Sequence, residues 1–227
     1  EHTLSLHDAL PISEVISFSD NNVEINLFAR FFAQGEAVYI EVSPAADSVY
    51  TAELFIQGIT VPLTRFSWGY RGFYGISPSF KSGVLKTALF YRKEKGGEVK
   101  KITGSLKVLK TDFPKARIKV DLGKFSDKSY YADPAHKKHI EESGKLRAEA
   151  FKSVNPDSIS NVISHPRDFH KITSEFWKGR EYLSYRIKNG KKRQVSVRKS
   201  IHRGLDLRGG KGEPVYAMAD GVVVLSH

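Results

Sequence analysis

Residues 84–108 read VLKTALFYRKEKGGEVKKITGSLKV: two runs rich in Val, Ile, Leu, Phe, Tyr and Thr, joined by the polar stretch Lys93-Glu94-Lys95-Gly96-Gly97-Glu98. In the second run Thr103, Ser105 and Lys107 alternate with apolar residues, the period of a strand with one wet face and one dry face. Two glycines in a short polar connection suit a tight reversal. The stretch therefore predicts an antiparallel hairpin, and with it a β fold.

Working outward, similar short runs occur at Val23–Phe28, Ala37–Val42, Ala52–Ile56 and Phe73–Ile76, each bounded by turn residues. Their spacing is that of a two-sheet β domain, and the arrangement resembles an immunoglobulin-like β-sandwich over residues 13–112. Within it, Trp68-Gly69-Tyr70-Arg71-Gly72-Phe73-Tyr74 interleaves aromatics with a cation. Such a segment can stack on sugars or bases, but core aromatics at a strand turn are the more ordinary use.

The pattern changes after Pro114, and residues 113–168 read as a connector with a helix. Asp133-Pro134 opens that helix, Glu141 to Ala150 supply helix formers, and Pro156 closes the segment. His136 and His139 sit three apart on it, a spacing compatible with two metal ligands on one face. Lys137 and Lys138 between them favour a solvated face instead. His165 and His170 flank a turn-like stretch in which no supporting second shell is recognisable.

The whole chain has 227 residues, no cysteine, eight histidines and a formal net charge of +11. Without cysteine there is no disulfide, no thiolate zinc site and no cysteine nucleophile, so any metal must be held by His, Asp or Glu. The positive charge favours polyanions. No helix-turn-helix, RNP-like or finger pattern accompanies it, so nucleic acid is not the expected partner. No apolar run approaches the roughly 20 residues of a membrane helix. Residues 1–12, with TLSLHDALPI at Thr3–Ile12, look like a translated sequencing adapter and show no signal-peptide pattern. They are expected to be non-native, which removes His7 and Asp8 from the candidate ligands and leaves any export signal out of view.

The residues with most chemistry lie near the end: His202-Arg203-Gly204-Leu205-Asp206, then Gly212-Glu213-Pro214-Val215-Tyr216-Ala217, then Ala219-Asp220-Gly221-Val222-Val223. An imidazole and a carboxylate separated by three residues, with Gly204 among them, can turn toward one cation, and His plus Asp suits zinc. Pro214–Met218 and Val222–Ser226 are apolar runs joined through Asp220-Gly221, which predicts a second hairpin.

This ordered set resembles the lysostaphin/LytM-type zinc metallopeptidases, peptidoglycan endopeptidases of the duplicated hybrid motif fold. The resemblance extends back to Ile172-Thr173-Ser174-Glu175-Phe176-Trp177-Lys178-Gly179-Arg180 and covers residues 169–227. It departs at Phe176-Trp177, where the family usually has Phe-Gly. It implies His202 and Asp206 as the first two zinc ligands, with a third from a later His-x-His motif that the 227 residues do not contain. His227 does not replace it, because the family has a long loop and further strands before that motif. The catalytic histidine of the motif is likewise missing, so no catalytic residue is present and no substrate-binding residue can be assigned.

The expectation is thus a C-terminally truncated, inactive piece of an exported zinc endopeptidase, binding one Zn2+ per intact domain and acting on peptidoglycan in the cell envelope or outside the cell. Its last strand, Val222–Leu225, would be an aggregation-prone edge. The alternatives are a non-catalytic relative that binds the wall or activates another hydrolase, and an adhesive protein in which only the N-terminal domain matters. Arg186, Lys188, Lys191, Lys192, Arg193, Arg198, Lys199 and Arg203, around Asn189-Gly190, read as a basic hairpin tip. It either docks on anionic wall polymer or substrate carboxylates, or is a solvated loop.

Overall fold

The computed structural model describes residues 4–5, 14–20, 23–44, 49–81, 83–126, 128–153 and 162–226, and they are mostly β, with several antiparallel sheets. The chain divides into two units, Glu1–Asp112 with Ile159–Ser164 and Phe113–Ser158 with His165–His227.

The first unit holds β1 (Leu4–Ser5), β2 (Glu14–Asp20), β3 (Val23–Ala29), β4 (Ala37–Pro44), β5 (Thr51–Ile56), β6 (Ile59–Val61), β7 (Leu63–Phe66), β8 (Gly69–Gly75), β9 (Gly83–Arg92) and β10 (Lys100–Val108). They form a five-stranded sheet in the order β2-β3-β4-β8-β7 and a four-stranded sheet in the order β10-β9-β5-β6. The expected hairpin is β9–β10, with Leu89 opposite Ile102 and Leu85 opposite Leu106. Alternate residues of both sheets meet in one core containing Ile25, Leu27, Ile40, Val42, Leu54, Ile56, Leu85 and Leu89. Removing such a buried side chain typically costs about 2–5 kcal/mol.

Two contacts tie the sheets together. The Phe18 ring of β2 lies over Gly104 of β10, where a Cβ would come within 2.5 Å of the ring. On the same strand β2, the Asp20 carboxylate accepts a 2.7 Å hydrogen bond from the Tyr91 hydroxyl of β9. Leu4–Ser5, part of the segment set aside as adapter-derived, pairs with β12 (Val162–Ile163).

In the second unit, β11 (Arg117–Asp121) pairs in parallel with β14 (Gly179–Lys188), and β14 pairs antiparallel with β15 (Lys191–Ile201). β13 (Ile172–Ser174) pairs antiparallel with β16 (Asp206–Leu207). A 3-10 turn (Gly123–Ser126) and a short helix α1 (Lys128–Ala132) lead into α2 (Pro134–Ala150). α2 starts where the sequence indicates: Asp133 caps it by accepting from the backbone N–H groups of Ala135 and His136, with Pro134 in the first turn. None of its residues is buried. The connector thus holds more than a helix, since Ile118 and Val120 alternate on a strand of the C-terminal sheet.

One expectation fails. Pro214–Met218 and Val222–Ser226 form no hairpin, and the described residues after Leu207 contain no strand. Val215, Val222 and Val223 are all exposed. An Asp-Gly turn is not enough, because an isolated two-stranded hairpin is marginal without a third strand or a surface to bury its face. The segment is instead held at Tyr216, whose N–H donates to the Pro166 carbonyl at 2.9 Å and whose hydroxyl donates to Asp168 at 3.1 Å.

Candidate metal-binding site

Two β connections converge on His202 and Asp206. Pairing of β13 with β16 sets Ser174 opposite Asp206. The turn between β13 and β14 clasps residue 202 through its backbone: Trp177 N–H donates to the His202 carbonyl at 2.7 Å, and His202 N–H donates to the Lys178 carbonyl at 2.9 Å. Making that turn puts Trp177 at φ 63°, a left-handed backbone that is a genuine outlier for a bulky residue. Phe113 packs against the turn, 5.9 Å from the Trp177 ring and 6.3 Å from that of Phe176.

His202 is buried, at 9% exposure, and its two ring nitrogens have different neighbours. Nδ1 lies 3.1 Å from the Glu175 carbonyl oxygen and 3.2 Å from Ser174 Oγ. A carbonyl only accepts, so we assign a proton to Nδ1. Nε2 is 3.1 Å from Asp206 Oδ1. A lone pair and a carboxylate oxygen at that separation repel unless a proton or a cation lies between them. Tetrahedral zinc with bonds of about 2.0–2.2 Å places neighbouring ligand atoms about 3.3–3.6 Å apart, so the pair, slightly closer than that, would need to open by a few tenths of an ångström to occupy two corners of such a shell. The backbone carbonyl on Nδ1 is the kind of second-shell partner that fixes a ligating imidazole.

Arg180, at the start of β14, competes for the same carboxylate. Its guanidinium donates to Asp206 Oδ2, to Ser174 Oγ at 3.2 Å and to the Tyr182 hydroxyl at 3.5 Å. Tyr182 first, and Asp206 after it, hold its pKa above the ordinary arginine value, against the opposing effect of burial. Its Nε is buried without a partner among the described residues. Beside His202, Trp177, Arg180, Tyr182, Ser200 and Arg203 line a cleft of about 510 Å³. Two guanidinium groups at its wall suit a carboxylate-bearing ligand.

Sequence reasoning paired His202 with Asp206 but missed Ser174, Glu175 and Arg180, because a hydroxyl, a backbone carbonyl and an arginine carry no ligand spacing. No group of three His, Asp or Glu able to hold a metal ion occurs among the described residues. His136 packs its ring on Tyr130 with centroids 4.2 Å apart, and both it and His139 lie on the exposed helix α2. His165 and His170 stack on each other, centroids 3.7 Å apart. His227, His7 and Asp8 lie outside the described residues. In the first unit, Arg71 is buried with its guanidinium 4.7 Å from the Phe66 ring, 5.4 Å from Trp68 and 5.4 Å from Tyr39. The aromatic segment around Trp68 is therefore largely packed on its own cation.

No protein-family model matches the sequence, and no curated protein matches it.

Proposed function

We propose that residues 169–227 are the opening part of a lysostaphin/LytM-type zinc metallopeptidase domain, from an exported enzyme that hydrolyses amide bonds in peptidoglycan peptides. The observation that carries this reading is Nε2 of His202, 3.1 Å from Asp206 Oδ1, with Nδ1 tied to the Glu175 carbonyl. The backbone adds support at Trp177: φ is 63° at the position where the family usually has glycine, the residue that adopts such angles without strain.

In this reading His202 and Asp206 hold the zinc, Glu175 and Ser174 orient the imidazole, and Arg180 positions the second oxygen of Asp206. Bound zinc would supply Lewis-acid polarisation of a carbonyl and a lowered pKa for water. A catalytic site needs about three protein ligands, and the third would come from a His-x-His motif in the parent protein. The 227-residue chain would then bind metal weakly and cleave nothing. The first unit, read as an immunoglobulin-like module, would bind wall or orient the peptidase.

The test has two parts. Zinc titration of this chain should show weak binding that His202→Ala and Asp206→Ala each abolish. The parent reading frame should contain His-x-His after residue 227, and its product should release peptides from purified peptidoglycan unless His202 is replaced. Zinc binding that both substitutions leave unchanged would overturn the assignment of ligands. A second reading, a non-catalytic relative, is favoured by Arg180, a built-in cation on the carboxylate that zinc would need. An intact frame without His-x-His would select it.

A further inference from the structure

The cleft beside His202 is rich in cationic donors and poor in acid. None of the residues lining it is an Asp or a Glu. The neighbouring Asp206 carboxylate already faces Arg180 with one oxygen and His202 with the other. Arg180 is only partly served by its partners. Of the five N–H bonds of a guanidinium, those on Nη2 go to Asp206 and Ser174. Nη1 reaches only the Tyr182 hydroxyl, at 3.5 Å, which is the far limit of a hydrogen bond. Nε is buried without a partner among the described residues. Arg203, on the same wall, is exposed and makes no ion pair among the described residues. It lies beyond β15, which ends at Ile201, and the backbone bonds of His202 to Trp177 and Lys178 fix where it leaves the turn. Protection of the sheet edge therefore does not account for it.

We propose that this cleft binds a free carboxylate of a peptide, shared by Arg180 and Arg203 beside His202. The inference rests on the peptidase reading and narrows it: the peptides cut there carry a carboxylate close to the scissile bond. The planar fork of a guanidinium matches a carboxylate through two parallel hydrogen bonds. Phosphate offers the same fork, but Trp177, Tyr182 and Ile201 also give the cleft an apolar wall. The body of a peptide covers such a wall and a bare inorganic anion does not. The volume of about 510 Å³ is that of an ordinary small-ligand pocket.

The experiment uses the full chain carrying Trp68→Phe, so that Trp177, in the cleft wall, is its one tryptophan. In metal-free buffer the chain is titrated with N-acetyl-Ala-Glu-Ala-amide, with the same peptide bearing Gln for Glu, and with inorganic phosphate. Calorimetry gives the affinities and Trp177 emission locates the binding. The Glu peptide should bind about tenfold or more tightly than the Gln peptide, the worth of a charge-assisted hydrogen bond. Arg203→Gln should lose the same factor. Arg193→Gln, the same charge change on β15 outside the cleft lining, should leave affinity unchanged. Because no zinc is present, the ligand assignment stands or falls in the zinc titration and this proposal in the peptide titration. Absence of binding, binding that leaves Trp177 emission unchanged, equal affinity for the Glu and Gln peptides, phosphate binding as tightly, or equal losses in Arg203→Gln and Arg193→Gln would each overturn the proposal.

Discussion

Trp177 is the residue where backbone and side chain are most at odds. Its left-handed φ of 63° lets the turn reach back to His202, while its indole packs beside Phe113 and Phe176. An L side chain in this region costs about 1–2 kcal/mol. Replacing tryptophan also removes the aromatic contacts, so one variant cannot separate the two effects. Trp177→Gly and Trp177→Ala lose the same contacts and differ mainly in the backbone. Trp177→Gly should therefore be the more stable by about 1 kcal/mol in denaturant unfolding. Equal stabilities would mean that the turn relaxes when the indole is gone and that the strain belongs to the side chain. The sequence alone marks this position only as a departure from a familiar Phe-Gly. The left-handed angle becomes visible only once the turn is closed on residue 202.

At the scale of the element, α2 shows what local chemistry can specify without tertiary help. Asp133, Pro134 and the i,i+4 pairs Lys137–Glu141 and Lys138–Glu142 are local signals, and the helix begins where they indicate. With no buried residue, it depends on those signals and on propensity. Gly144 sits mid-helix with nothing within 4 Å of a built Cβ, so Gly144→Ala should add about 1 kcal/mol to helix stability, seen as greater ellipticity at 222 nm. The cap also gives the helix a pH dependence. The hydrogen bond from the His136 amide first, then, against the opposing effect of burial, that from the Ala135 amide and the nearby His136 ring, hold the Asp133 pKa below its ordinary 3.8. A depressed carboxylate stabilises above its unfolded value and loses that contribution as pH falls through the folded one. Helicity should thus hold down to about pH 4 and fall below it, and Asp133→Asn should flatten that fall. The β14–β15 turn was legible for a similar local reason, Asn-Gly. The Pro214–Ser226 hairpin was misread because Asp-Gly supplies a turn but no surface to bury the strands.

Across the whole chain, the alternation that announced β9 and β10 also found β3, β4 and β5, because each buries one face in the same core. It missed β2, whose Glu14, Ser17, Ser19 and Asp20 dilute the pattern, and the three-residue β6. Which strands neighbour one another was not legible, since period-two patterning carries no information on distant partners. The bond between Tyr91 and Asp20 is such a distant contact, joining the two sheets across 71 residues of sequence. Burial first, then the hydrogen bond to Asp20 and the carboxylate charge, push the Tyr91 hydroxyl up to about 12. For this acid the neutral, protonated form is the one the fold favours. Its contribution is complete below the ordinary value near 10, and is lost as pH rises toward 12, about 2–3 kcal/mol in all. Tyr39, Tyr70 and Tyr74, also raised by burial, share the direction of the effect, so the Tyr91 share needs a difference measurement. The chain's two tryptophans, Trp68 and Trp177, fall one in each unit. In a Trp177→Phe background, Trp68 fluorescence reports unfolding of the first unit alone. Denaturant midpoints should fall steeply between pH 10 and 12 in that background and less steeply when Tyr91→Phe is added, with the doubly substituted chain the less stable of the two at neutral pH. Parallel slopes would place the alkaline weakness in the other tyrosines and leave the bond between the sheets without a titrating role.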